Sequence, residues 1–310
     1  MDDIETVSCS NCGSRKAETL YELSDSLYNI PGDFTSNRCL NCGLIYLSPR
    51  PKSEAIGNYY PSNYANFRPP IESEKFALMR WMRQRKLTKR RRLIERFSQR
   101  TRGNLLDVGS ATGLFLNEMA QSGWQVSGVE PDLHAAELAR SYFNLDVFAG
   151  LFRDAPLQPN SFDVITFWDV LEHTYSPQEE LEFAANLMRP GGLLTLSIPN
   201  WNSEERRIFG KYWQGFDAPR HLYVFTDEVL SAILNDAGFT IIDRICFMPG
   251  YFSFIISLER WLKSKSPPLA AIARSFLNLP GIRLPFEPWF SLNNMRGIGP
   301  VIAYFSRRNS

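Results

Sequence analysis

The sequence contains no apolar run long enough to cross a bilayer, and its first residues, Met1-Asp2-Asp3-Ile4-Glu5-Thr6, are acidic and lack the apolar core of a secretory signal. Net charge is nearly absent: 34 lysines and arginines face 33 acids in 310 residues, so no global field draws nucleic acid or membrane to the chain. Any such partner has to be served by a local patch. Histidine is scarce as well, at three residues, His134, His173 and His221. The composition is neither fibrous nor disordered. At 44% hydrophobic residues, a chain of this length can bury one sizeable α/β core and carry a small extra module.

Cysteine is sparse but concentrated. Four of the five cysteines fall in Cys9-x-x-Cys12 and Cys39-x-x-Cys42, each followed by glycine. Two such turns can close a tetrahedral thiolate cage, so the pattern reads as a zinc ribbon with Cys9, Cys12, Cys39 and Cys42 as ligands of a structural Zn2+. With all four ligands supplied by protein, no position stays open for catalysis. Disulfides are disfavoured in a reducing compartment, and no βαβ unit flanks either pair as a thioredoxin motif requires. Cys246 falls in an expected strand and reads as a small core residue.

The dinucleotide signature G-x-G-x-x-G is missing where a buried strand meets a glycine turn. Leu105-Leu106-Asp107-Val108-Gly109-Ser110-Ala111-Thr112-Gly113 has Ala111 in the middle glycine position and an acid just before the turn. Asp107 would repel a diphosphate but suits the ammonium and sulfonium groups of S-adenosylmethionine. Gly109 and Gly113 are expected to let the backbone approach that ligand, with Ser110 and Ala111 between them. A second strand, Gln125 to Glu130, ends in an acid placed to accept hydrogen bonds from two ribose hydroxyls, with Pro131 beside it. Further on come Phe162-Asp163-Val164, Trp168-Asp169, Leu171-Glu172-His173 and Pro190-Gly191-Gly192.

These motifs, in this order, resemble the class I S-adenosylmethionine-dependent methyltransferases, in the branch of ubiquinone-type and other small-molecule enzymes. The resemblance covers roughly residues 75 to 308. It implies an α/β fold, a seven-stranded Rossmann-like sheet with helices on both faces, and a cofactor site of Asp107, Gly109, Ser110, Ala111, Gly113, Glu130, Pro131, Trp168 and Asp169. S-adenosylmethionine is an intracellular metabolite, which with the absences above argues for a cytoplasmic location.

The expected organisation is a zinc ribbon at 1–50, a linker at 51–74 containing Tyr59-Tyr60-Pro61-Ser62-Asn63-Tyr64, and a methyltransferase domain at 75–310. Strands are expected near 104–108, 125–130, 145–149, 162–168, 192–198, 239–247 and 299–306. The connection between the last two is far longer than a hairpin, so 249–296 together with 199–226 should form a cap over the substrate mouth. The cap begins with an almost wholly apolar helix from Tyr251 to Leu262. A second charge feature is a helix within 72–102 with eleven cationic residues from Arg80 to Arg102 against one acid, Glu95. It is either a solvated helix face or an attractor for phospholipid, nucleotide-sugar phosphate or RNA. Apolar cap and basic helix together keep peripheral membrane contact and a lipid-linked substrate open.

Methyl transfer needs two positioned reactants and, for a hydroxyl acceptor, removal of one proton. His221, in the segment Trp213 to Thr226, is the first candidate base, and His173, beyond the fourth strand, is the second. Each has a structural alternative as a loop-locking residue. The function expected is methyl transfer to a small-molecule or lipid-linked acceptor, including a cell-surface glycan or natural-product precursor. The rivals are an RNA methyltransferase using the ribbon and basic helix, and a non-catalytic cofactor-binding scaffold. Oligomeric state stays open.

Overall fold

The computed structural model of the chain describes residues 3–61, 70–248, 250–277, 279 and 281–309. Ser62, Asn63, Tyr64 and Pro249, named in the linker and cap expectations, lie outside the described residues. At the N-terminal end β1 (Ile4–Glu5), β2 (Ala17–Leu23), β3 (Phe34–Cys39), β4 (Ile45–Leu47) and β5 (Arg50–Pro51) form two small antiparallel ladders, β1 with β5 and β2 with β3 with β4. The Cys-x-x-Cys turns sit at their ends, each closed by a glycine amide donating to the first cysteine's carbonyl, Gly13 to Cys9 and Gly43 to Cys39.

Helix α1 (Ala77–Ser98) follows, then β6 (Asn104–Val108), α2 (Leu114–Gln121), β7 (Gln125–Glu130), α3 (Leu133–Phe143), β8 (Val147–Ala149), β9 (Phe162–Trp168) and α4 (Pro177–Leu187). The remainder is β10 (Met188–Pro199), α5 (Glu204–Phe209), β11 (Tyr223–Val224), α6 (Asp227–Asp236), β12 (Phe239–Cys246), α7 (Tyr251–Lys265), α8 (Pro267–Leu277), α9 (Glu287–Met295) and β13 (Val301–Arg308). The seven-stranded sheet runs β12-β13-β10-β9-β6-β7-β8, parallel except for β13, which is antiparallel to both its neighbours. All seven residues of β9 are buried, as a strand covered by helices on both faces requires. Strand order reverses between β6 and β9, and ligands of such sheets bind at the C-terminal ends of the strands flanking that switch.

Local chemistry sets the helix starts. Asp132 and Thr226 accept the Ala135 and Val229 amides at the beginnings of α3 and α6, and Pro177 opens α4. Four strands depart from the expected bounds, the last two only slightly, at Phe239–Cys246 and Val301–Arg308. The Pro190-Gly191-Gly192 turn is not ahead of its strand but inside β10, where the register with β9 shifts between Met188 and Leu193, so the turn is a bulge. The third strand is shorter, because only Val147 to Ala149 find partners on β7.

The two cap segments pack on each other. Phe209 meets Phe254 edge-on with ring centroids 5.3 Å apart, Ser253 donates to Glu205, and Arg260 on α7 reaches Asp217 at 2.8 Å. The cap is also joined to the N-terminal module: β11 adds to the edge of β4, giving a four-stranded sheet β11-β4-β3-β2. Strand pairing therefore crosses the linker between residues far apart in the chain.

Candidate functional site

At the first turn, Asp107 lies buried one residue before the end of β6, accepting a hydrogen bond from Thr166 Oγ1 at 2.6 Å. Burial pushes its carboxyl up to about 7, against the opposing influence of Thr166 and of nearby Arg90. Gly109 and Gly113 both have left-handed φ, +71° and +77°. A Cβ on Gly109 would meet Val170 at 2.5 Å, and one on Gly113 would meet Leu145 and Ala139 at 2.7 and 2.9 Å, so the glycines also make room for neighbouring side chains. Ala111 takes a left-handed φ of 47°, and its amide donates to Glu130 Oε2 at 2.7 Å. That bond offsets the roughly 1–2 kcal/mol cost of the conformation for a residue with a Cβ. Alanine thus does the work expected of the missing glycine.

Glu130 is nearly enclosed, and its second oxygen accepts the Asp132 amide at 3.0 Å. Burial raises its pKa, and the two amides oppose the rise. Each oxygen keeps a further lone pair for a hydroxyl donor. Pro131 is exposed beside it, and Ser110 Oγ is buried with no partner among the described residues.

Trp168 and Asp169 stand across the turn at the end of β9. The indole packs edge-on against Phe115 and Phe247, and its Nε1 has no partner among the described residues. The Arg90 guanidinium lies 4.6 Å over its ring and 3.4 Å from Asp169 Oδ2, while Asp169 Oδ1 accepts Ser197 Oγ at 2.8 Å. Arg90 thus stands beside two of the expected cofactor residues, and the signal for it in the sequence is its helical stripe with Leu87, Ile94 and Phe97. Other cations of α1 turn inward too: Lys89 donates to the Phe247 carbonyl at 3.3 Å, and Arg91 binds Glu118 and Glu95 at 2.9 and 2.8 Å.

The two candidate histidines come together: His173 Nδ1 lies 2.9 Å from the carbonyl of Arg220, 47 residues further along the chain, and the His173 and His221 rings meet edge-on at 4.7 Å. His221 Nδ1 faces the Gly215 carbonyl at 2.9 Å. A carbonyl only accepts, so each contact keeps the proton on Nδ1 and leaves Nε2 bare. Tyr60 Oη sits 3.0 Å from His173 Nδ1, bringing the linker over the pair. Burial lowers the pKa of both rings, that of His173 to about 3. Glu172, the neighbour of His173 in the same 3-10 turn, joins them: one of its oxygens and one nitrogen from each ring lie within 4.8 Å of one another. Its carboxylate is buried, neither oxygen has a partner among the described residues, and burial with the nearby Asp169 charge raises its pKa well above the usual range. The sequence motif Leu171-Glu172-His173 contains Glu172 but carries no signal for its role. His134 is exposed on α3, away from these groups.

The four cysteines of the N-terminal turns also converge. All four sulfurs lie within 4.8 Å of one another, with Cys9 to Cys42 and Cys12 to Cys39 at 3.5 Å. Thiolates around a tetrahedral zinc at ~2.3 Å are spaced about 3.8 Å apart, so the cage fits that ion.

A family model described as a methyltransferase domain matches residues 80–244. Among curated relatives, a ubiquinone biosynthesis O-methyltransferase from Saccharophagus degradans is 32% identical over 115 residues, 35% of this chain and 49% of the relative. The same enzyme from Idiomarina loihiensis is 35% identical over 106 residues, 32% of this chain and 43% of the relative. The chain thus spans about half the length of the curated relatives it matches. A solved structure from Bacillus halodurans C-125, itself assigned only provisionally as a methyltransferase, superposes with a TM-score of 0.51 at 15% identity, covering 72% of this chain and all of that one. This last likeness concerns the fold.

Proposed function

The chain belongs to the methyltransferase-domain family, and from that premise we propose that it moves the methyl group of S-adenosylmethionine to an oxygen of a small-molecule acceptor. The cofactor lies over the Asp107 to Gly113 turn, with Glu130 taking the ribose hydroxyls and Asp107, Asp169 and Arg90 lining the methionine end. Among these, Asp107 and Asp169 attract the ammonium and sulfonium groups, and Arg90 is placed to attract the carboxylate. The protein's part in an in-line displacement is to hold donor and acceptor in line and dispose of the acceptor proton.

The observation that carries this reading is the placement of Glu172, His173 and His221 immediately beyond Asp169, with bare imidazole nitrogens and an unpartnered carboxylate where the acceptor has to stand. The oxygen acceptor also agrees with the O-methyltransferases among the relatives. Two experiments test it. Calorimetry should show S-adenosylmethionine binding that Asp107→Ala weakens, and no binding by the unaltered protein would defeat the reading. Single-turnover transfer of labelled methyl to a dihydroxybenzoate should fall in His221→Ala, and an unchanged rate would remove that residue from the chemistry.

The Cys9, Cys12, Cys39 and Cys42 cage holds a structural zinc ion in this reading. An RNA acceptor has less support, because Arg90 and Arg91 are part-buried and spend their charge on Asp169, Glu118 and Glu95. A lipid-linked acceptor is favoured by one feature: α8 leaves Leu269, Ile272 and Phe276 exposed at helical spacing, and Phe276 is 56% exposed. No helix among the described residues is long and apolar enough to cross a membrane, so such a contact would be peripheral. Flotation with anionic vesicles, compared between the native chain and Ile272→Glu, tests it; equal flotation would remove the lipid reading.

A further inference from the structure

We propose that a cleft between the C-terminal end of α1 and the bulge in β10 binds a small soluble phosphate-bearing anion. Asp163 in this cleft stands near the start of β9, whereas Asp107 and Trp168 stand at the other ends of their strands, so the site is remote from the cofactor turn. The inference is independent of the methyl-transfer reading. The cleft has a volume of about 340 Å³, within the range of ligand pockets, and its lining includes Ser98, Arg100, Asp163, Arg189, Gly191 and Arg307.

Three guanidinium groups therefore share one carboxylate. Burial alone would raise the Asp163 carboxyl, but the Asn104 amide at 2.9 Å and Arg189 at 2.8 Å hold it below the usual carboxylate range, so it stays charged. A surplus of two positive charges is left in a concave site, although the whole chain carries a net charge of only +1. Concave walls focus such a field on an anion.

The three arginines play different parts. Arg307 is a fixed wall, with Nη1 donating to the Gly191 carbonyl at 3.0 Å and Nη2 to the Phe97 carbonyl at 2.8 Å. The second bond covers a carbonyl at the C-terminal end of α1, whose negative dipole end would otherwise oppose an anion. Arg189 sits inside the β10 bulge, where the register with β9 shifts, and spends Nη1 on Asp163. Arg100 approaches the same carboxylate only to 3.7 Å and makes no side-chain hydrogen bond among the described residues. Its fork of five N–H donors, on a side chain 56% exposed, is left for a ligand. A Cβ on Gly191, whose φ is a left-handed 72°, would meet nothing within 4 Å, so the bulge leaves its side of the cleft open. Planar guanidinium forks match the paired oxygens of a phosphate group.

Calorimetry on the full chain at low ionic strength, with inorganic phosphate and with glycerol 3-phosphate as probes, tests the site. One anion should bind per chain, and Arg100→Gln should weaken it about fivefold or more. Arg100 is exposed and holds no hydrogen bond through its side chain, so this variant should unfold at the same temperature as the native chain. Arg102→Gln, at an exposed arginine two residues on that does not line the cleft, should leave binding unchanged. Tighter binding of glycerol 3-phosphate identifies a phosphate ester as the ligand, and equal or weaker binding the free oxyanion; both uphold the site. The proposal is overturned if neither anion binds at millimolar concentration, or if Arg100→Gln binds as tightly as the native chain. It is also overturned if Arg102→Gln loses as much affinity as Arg100→Gln, since the attraction is then diffuse surface charge.

Discussion

Asp25 and Arg220, 195 residues apart in the chain, meet with both side chains fully buried, Oδ1 to Nη2 at 2.9 Å and Oδ2 to Nη1 at 3.2 Å. Asp217 takes the other edge of the same guanidinium at 2.8 Å, and the Arg220 carbonyl faces His173. One arginine thus connects the N-terminal module, the cap and the candidate site. Truncating a partner leaves a buried charge without its match, so Asp25→Ala should lower unfolding free energy by about 3–5 kcal/mol in urea titrations. Burial alone would raise the Asp25 carboxyl, but hydrogen bonds from Arg220 and the Tyr28 and Leu27 amides hold it below the usual carboxylate range. Its contribution is therefore present above the ordinary carboxylate pKa and is lost as pH falls through the lowered one. Acid unfolding should begin at higher pH in Asp25→Ala.

Removing metal from the cysteine cage should be felt in the cap. Because Tyr223 and Val224 pair with Tyr46 and Ile45, loosening the ribbon strands exposes an edge on which the cap depends. Hydrogen exchange after chelation should accelerate in the ribbon and in residues 217–225 together. Acceleration confined to the ribbon would show that the β4 to β11 ladder does not couple them.

Donor binding should depend on pH through Asp107. In the folded chain its pKa stands at about 7 against an ordinary 3.8, so below neutrality the carboxyl is protonated and must lose that proton to face a cation. S-adenosylmethionine affinity should accordingly rise by up to about tenfold per pH unit up to neutrality and level off above it, with a proton released on binding. Arg90 is the cation that opposes the shift, so Arg90→Met should move the midpoint upward. Asp107→Asn should flatten the curve. Calorimetry in buffers of different ionisation enthalpy measures the proton count.

Glu205 offers a stability test remote from the chemistry. Burial between α5 and α7 pushes its carboxyl up to about 8 from 4.5, opposed by the Ser253 hydroxyl. Between those values the folded chain keeps a proton that the unfolded chain has released, so this group lowers stability progressively as pH rises through that window. Glu205→Gln stays neutral throughout. Its unfolding free energy in urea titrations should exceed that of the native chain by an amount that grows from acid to mildly alkaline pH, on the order of a few kcal/mol at the upper end.

The alternating core was legible from local pattern. The runs Leu105 to Val108 and Phe162 to Trp168 are strands because apolar residues that short, bounded by turn formers, can be satisfied only inside a sheet covered on both faces. The cage was equally legible, since two Cys-x-x-Cys turns carry their own geometry in their spacing. Arg90 was not, because charge content says nothing about which face of a helix a given arginine occupies.

By itself the sequence determined the sheet and its turns, the acids near the ends of β6 and β7, and the pairing of cysteines into one cage. These depend on contacts within a few residues or on periodicity, which a linear reading retains. Only the tertiary structure decided that Gly109 and Gly113 make room for side chains, that Arg90 stands over Trp168, and that β11 completes the ribbon sheet. It also decided that Glu172 and His173 meet His221, because that encounter requires β9 and the segment after β10 to end side by side. Distances across a sheet are set by strand order, and strand order is fixed by how helices cover the faces.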